Sequence, residues 1–132
     1  LVASNHQVCA EVQLEPTPGH TPGHVSVHIT SNGQEAVITG DMIHHPCQIA
    51  HPDWSSTADE NQTDSATTRD AFLAKYSDRP VLIIGTHFAA PTAGYIVAEQ
   101  DALNTKEKEN LPGQASADSD EGKAGLAYRL DY

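Results

Sequence analysis

Three short marks in this chain could do chemistry: Thr17-Pro18-Gly19-His20-Thr21-Pro22-Gly23-His24, Gly40-Asp41 and Gly85-Thr86-His87. They offer a His, a carboxylate and a second His. Imidazole nitrogen and carboxylate oxygen are the donors that Zn²⁺ takes at about 2.0–2.2 Å. A carboxylate can also bridge two cations, and two cations about 3.5–4 Å apart lower the pKa of a shared water and clamp the attacked oxygen. His20, Asp41 and His87 are therefore the candidate metal ligands, with Asp41 between them as the candidate catalytic residue. Any one mark alone is more often structural: a lone His is usually a hydrogen-bonded residue, and a lone Gly-Asp a turn. The ordered set of three carries the reading. No two histidines stand in H-x-H spacing anywhere in the sequence.

The elements that must position these residues follow from pattern. Alternation predicts a strand over residues 8–14 and a cleaner one over 25–30, with Val25, Val27 and Ile29 on one face and Ser26, His28 and Thr30 on the other. Pro16, Pro18, Gly19, Pro22 and Gly23 hold the stretch between them as loop. Asn32-Gly33 marks a hairpin, and the chain returns as a strand over 36–39. Residues 44–63 read as polar and irregular. Residues 64–76 read as a helix capped by Asp64 or Thr63, and 81–84 as a buried strand. A further strand is expected over 94–97. Residues 104–125 read as a disordered insertion, and 126–132 as a last strand. The whole reads as a single α/β domain over 1–132, its core about residues 8–98.

That order brings the marks together. His20 precedes the first arm of the hairpin and Asp41 follows the second, so antiparallel pairing puts both on one edge of the sheet. The segment from Asp41 to residues 81–84 is strand–helix–strand, and the usual right-handed crossover would bring His87 to the same edge.

The spacing of His20, His24 and His28 suits one helical face, but Gly19, Pro22 and Gly23 exclude that helix. His24 is expected to support the loop from behind the ligands, bonded to backbone. His28 is expected in solvent or under a helix. His44, His45 and His51 read as loop polarity or as the rim of a pocket, Trp54 as a loop anchor, and Phe88 as either anchor or platform. Cys9 and Cys47 lack C-x-x-C spacing and read as free, partly buried thiols. There is no G-x-S-x-G elbow, no P-loop and no H-E-x-x-H.

The formal charge of −11 argues against nucleic acid and against an anionic membrane surface as partners. No apolar run approaches a membrane span. Residues 1–6 carry no leader pattern and do not begin with Met, which points to a processed or truncated start and leaves the compartment unread.

Taken in order, the three marks resemble the later half of a metallo-β-lactamase-fold hydrolase over about residues 8–97, and most of all the branch of methyl parathion hydrolase-like and lactonase-like enzymes. The resemblance implies an αββα sandwich, of which this chain holds the C-terminal βα half. It implies a di-zinc hydrolase with a bridging hydroxide, acting on a small-molecule lactone, carboxyl ester or organophosphate. It gives His20 to one metal, Asp41 to both and His87 to the second, with His24 outside the ligand set. The family's H-x-H-x-D-H motif, which supplies the other ligands, is absent. The expectation is therefore a fragment, weakly active or inactive alone, that needs its N-terminal half or a partner to cover the sheet. The competing expectation is a non-catalytic half-fold that associates with a partner or with itself.

Overall fold

A computed structural model describes residues 1–99 and 127–132. Three strands come first: β1 (Val12–Pro16), β2 (Val25–Ser31) and β3 (Gln34–Ile38). A 3-10 turn (Gly40–Met42), a one-turn helix α1 (Cys47–Ala50) and the long helix α2 (Gln62–Tyr76) follow. The chain then returns as β4 (Val81–Ile84), β5 (Ala93–Glu99) and β6 (Ala127–Asp131). The six strands form one sheet in chain order. Every neighbouring pair is antiparallel except β3–β4, which is parallel, as a strand–helix–strand crossover requires. The α/β expectation is met. The expected insertion over 104–125 lies outside the described residues.

Asn32 and Gly33 turn the β2–β3 hairpin with φ of +52° and +75°, the conformation of a two-residue hairpin loop whose twist matches its strands. The first strand starts later than the alternation predicts. Val8 instead closes a tight turn, its N–H donating to the Val12 carbonyl at 2.8 Å, so pairing with β2 begins at Val12↔Ile29. The cap of α2 also differs from expectation. Asn61 accepts from the N–H groups of Thr63 and Asp64, each at 3.1 Å, because its side chain precedes the helix and can reach back to free donors.

Ser65, Arg69, Phe72, Leu73 and Tyr76 form the buried stripe of α2. It covers one sheet face, where Val37, Val81, Ile83, Ile96 and Tyr128 join Met42, Ile43 and Ile49 in the core. His28 and Ser26 belong to the same face. Ser26 is fully buried and donates to the Thr39 carbonyl at 3.0 Å. His28 lies edge-on to the Tyr76 ring. The opposite face carries Leu14, Val27, Ile29, Ile38, Leu82 and Ile84, all only half-buried. At its hairpin end lies a shallow depression lined in part by Ile29, Ala36, Leu82 and Tyr95. Among the described residues, no helix is long and apolar enough to cross a membrane.

Candidate metal centre

The loop that joins β1 to β2 carries His20 and is seated against α2. Gly19 has φ of +136°, and a Cβ there would fall 2.3 Å from the Ser65 Cα. The Gly19 carbonyl accepts from the Asn61 N–H and the His20 carbonyl from Glu60, both at 3.0 Å. The end of the loop is fixed by His24. Its Nδ1 lies 3.0 Å from the Thr17 carbonyl, and its Nε2 accepts the Asp41 N–H at 2.9 Å. Together these bonds fix the neutral tautomer with the proton on Nδ1. Burial, which holds His24 below its usual pKa, favours that neutral form. Gly40 admits the contact: its φ is +59°, and a Cβ would stand 2.7 Å from His24 Nε2. The repeated G-H of the loop therefore divides its labour, with His24 holding the backbone of Asp41 while His20 faces its side chain.

Asp41 lies between two imidazoles. His87 Nε2 is 2.7 Å from one of its oxygens and His20 Nε2 is 3.4 Å from the other. The hydrogen bond with His87, reinforced by the nearby His20, holds the Asp41 carboxyl below the ordinary carboxylate range despite partial burial. His87 is the outermost member, its side chain 46% exposed against 17% for His20. Its loop leaves β4 at Gly85, over which the buried Phe88 ring packs so closely that a Cβ would collide with it. Phe88 is thus a core anchor. The three residues singled out in the sequence come together at one edge of the sheet.

Two further residues stand beside them. His44 has its ring 5.2 Å from those of His20 and His87, stacked on the latter. Its Nδ1 is buried and, among the described residues, has no hydrogen-bond partner. Burial, with the neighbouring His20 and His87, lowers its pKa, which Asp59 and Asp41 partly offset. Asp59 is buried and meets His20 Nδ1 at 3.1 Å. One nitrogen each from His20 and His44 and one oxygen of Asp59 lie within 4.8 Å of one another, a second possible donor set. Both Asp59 oxygens are already engaged, however, one by His20 and the other by the Ser56 N–H at 3.0 Å. Although burial opposes it, these bonds, one from Ser65 and the charge of Arg69 hold the Asp59 carboxyl low. His20 Nε2, the two Asp41 oxygens and His87 Nε2 face one another instead, and His44 stands beside them with its Nδ1 uncommitted. Nitrogen and carboxylate oxygen at these positions fit a zinc-type cation.

Sequence reasoning missed Asp59 and left His44 open, since both fall in the stretch read as irregular. The available signal was Arg69: it falls on the apolar stripe of α2, where an unpaired guanidinium could not stay. Trp54 is 53% exposed and stacked on His51. Its indole meets the loop through that stack, and Gln48 ties the backbone by donating to the Trp54 carbonyl at 2.7 Å. Both thiols are free, and Cys9 is exposed rather than partly buried.

No curated protein matches the chain. Solved structures do. AidC, described as a dizinc quorum-quenching lactonase in complex with a product, superposes with a TM-score of 0.68 at 24% identity, over 75% of this chain and 34% of that one. The hydrolase AbOPH of the beta lactamase superfamily gives a TM-score of 0.69 at 22% identity, over 96% of this chain and 36% of that one. An N-acyl homoserine lactone hydrolase with its product at the catalytic metal centre gives 0.56 at 21%, over 68% and 36%. At these identities the likeness speaks for the fold, and the chain spans about a third of the length of each. A model of the metallo-beta-lactamase superfamily matches residues 6–87. That stretch is more than half of the chain and holds all three marks, so the chain belongs to the metallo-beta-lactamase superfamily.

Proposed function

We propose that the protein carrying this chain is a metal-dependent hydrolase that cleaves an ester-like bond in a small molecule: a lactone, a carboxyl ester or an organophosphate. One observation carries the reading, the Asp41 carboxylate with one oxygen toward His20 Nε2 and the other toward His87 Nε2. That arrangement suits a carboxylate shared between two cation positions. His20 serves one position and His87 the other. Zinc-type cations, when bound, would polarise the attacked oxygen and lower the pKa of a water toward neutrality. The chain's own contribution is to hold the donors: His24 through the Asp41 N–H, Asp59 through His20 Nδ1. The neighbours named as lactonases support the lactone end of the substrate range.

Three residues, one of them shared, leave each position short of four ligands. The remaining ligands are assigned to another part of the protein or to a partner. The same unit would cover the half-buried apolar face of the sheet. That open face also favours a second reading, in which the chain is a non-catalytic half that only associates. Asp41→Asn in the intact protein separates the two. Hydrolysis predicts loss of bound metal by elemental analysis and a fall of at least about 100-fold in turnover of a homoserine lactone or a nitrophenyl ester. Unchanged metal content and turnover would overturn the hydrolase reading.

A further inference from the structure

Arg69 is a charged residue with its side chain fully enclosed, as is that of Asp59. A buried guanidinium persists only where its donors are satisfied, and the acceptors found here lie on several separate segments. Its Nε donates to the Pro52 carbonyl at 2.9 Å and Nη2 to Ser55 Oγ at 2.9 Å. Its Nη1 donates to Ser65 Oγ at 2.8 Å and to the Met42 carbonyl at 3.1 Å, and lies 3.8 Å from Asp59 Oδ2. Met42 follows Asp41 directly, and Asp59 holds His20. One side chain thus grips both ligand-bearing segments from behind: the turn that presents Asp41, and the carboxylate that orients His20.

We propose that Asp59 and Arg69 act together as positioning residues, Asp59 fixing His20 with its proton on Nδ1 and Nε2 free toward Asp41, and Arg69 locking Asp59 and the Met42 carbonyl into one frame. A His ligand commonly gives its second N–H to a carboxylate, which fixes the tautomer and the ring. What is particular here is the shared clamp. It couples His20 to Asp41 across 21 positions of sequence, through Asp59 on one side and the Met42 carbonyl on the other. The inference deepens the metal reading above and rests on it only for its second measurement.

The variant is Asp59→Asn in the intact protein. Whichever way the amide sits, its NH₂ faces a donor, either the His20 Nδ1–H or the Ser56 N–H. Arg69→Lys is the companion, because a single ammonium cannot reproduce the planar fork. The first readout is the His20 tautomer in metal-free protein, by long-range ¹⁵N–¹H NMR with His20→Gln as the assignment control. Read on the neutral ring, at a pH where His20 carries a single proton, the Nδ1–H form is expected to dominate in the wild type and to lose that dominance in D59N. The second is zinc affinity by competition with a chromogenic chelator, expected to fall about 10–100-fold in D59N and in R69K. A wild-type His20 with its proton on Nε2, or a folded D59N unchanged in both readouts, overturns the proposal. Should R69K fail to fold, D59N alone decides. If the tautomer behaves as expected while the wild type takes up no zinc, the positioning role stands and the hydrolase reading falls.

Discussion

The two faces of the sheet differ in a direction opposite to simple expectation. Over β1–β3 the covered face is largely polar, with Glu15, Ser26, His28 and Glu35 beside the buried Val37. Each polar side chain has a partner. Tyr76 and Lys75 donate to Glu15, and His28 meets Glu35 at 3.0 Å. The uncovered face is the apolar one, with Val27, Ile29, Ile38, Leu82 and Ile84 only half-buried. Polar groups are tolerated under a helix when they are hydrogen-bonded. An apolar face left in water registers an unmet demand for a cover. A strand's chemistry therefore states what each face requires, while the neighbours decide what it gets.

Adjacent residues on β4 give the sharpest test of that contrast. Ile83 is fully buried and Leu82 looks the other way. Ile83→Ala is expected to cost about 2–5 kcal/mol in urea unfolding of this chain, and Leu82→Ala less than about 1 kcal/mol. Equal losses would mean that something already covers the open face in solution.

A smaller effect probes the polar side. Tyr76→Phe removes a hydrogen bond to a charged acceptor and should cost about 1.5–3 kcal/mol at neutral pH. Burial, and the Glu15 carboxylate that accepts its hydroxyl, push the Tyr76 phenol well above its usual value. A raised pKa means that the fold retains the proton. This stabilisation is whole below the unfolded value of about 10 and is lost as pH rises beyond it. Wild type should lose stability above that pH faster than Tyr76→Phe; parallel curves would show that the phenol does not matter to the covered face. Asn61→Ala is expected to cost about 1 kcal/mol from the lost cap, read as a small shift of the denaturation midpoint with an unchanged slope.

Much of the fold was legible because short-range rules govern it. Asn32-Gly33 could make little but a hairpin, and the apolar run over β4 was too short and continuous for anything but a buried strand. The convergence of His20, Asp41 and His87 followed from strand order alone. What escaped were features set by partners distant in sequence. The burial of Ser26 depends on α2 lying over its face of the sheet. Asp59 is one carboxylate among several in a polar stretch until His20, 39 positions away, is seen beside it. Arg69 was visible as a charge on an apolar stripe, but its acceptors are mostly loop carbonyls and hydroxyls that no periodicity announces.

The Arg69 clamp has a consequence for how the sequence can vary. Losing one member of a buried charge pair strands the other, at about 3–5 kcal/mol, whereas replacing both with well-packed neutral side chains can leave stability nearly unchanged. Positions 59 and 69 should therefore be tolerant of change only as a couple, and even lysine should fail as a stand-in for Arg69. Among natural variants of this chain, the two positions should drift together or not at all.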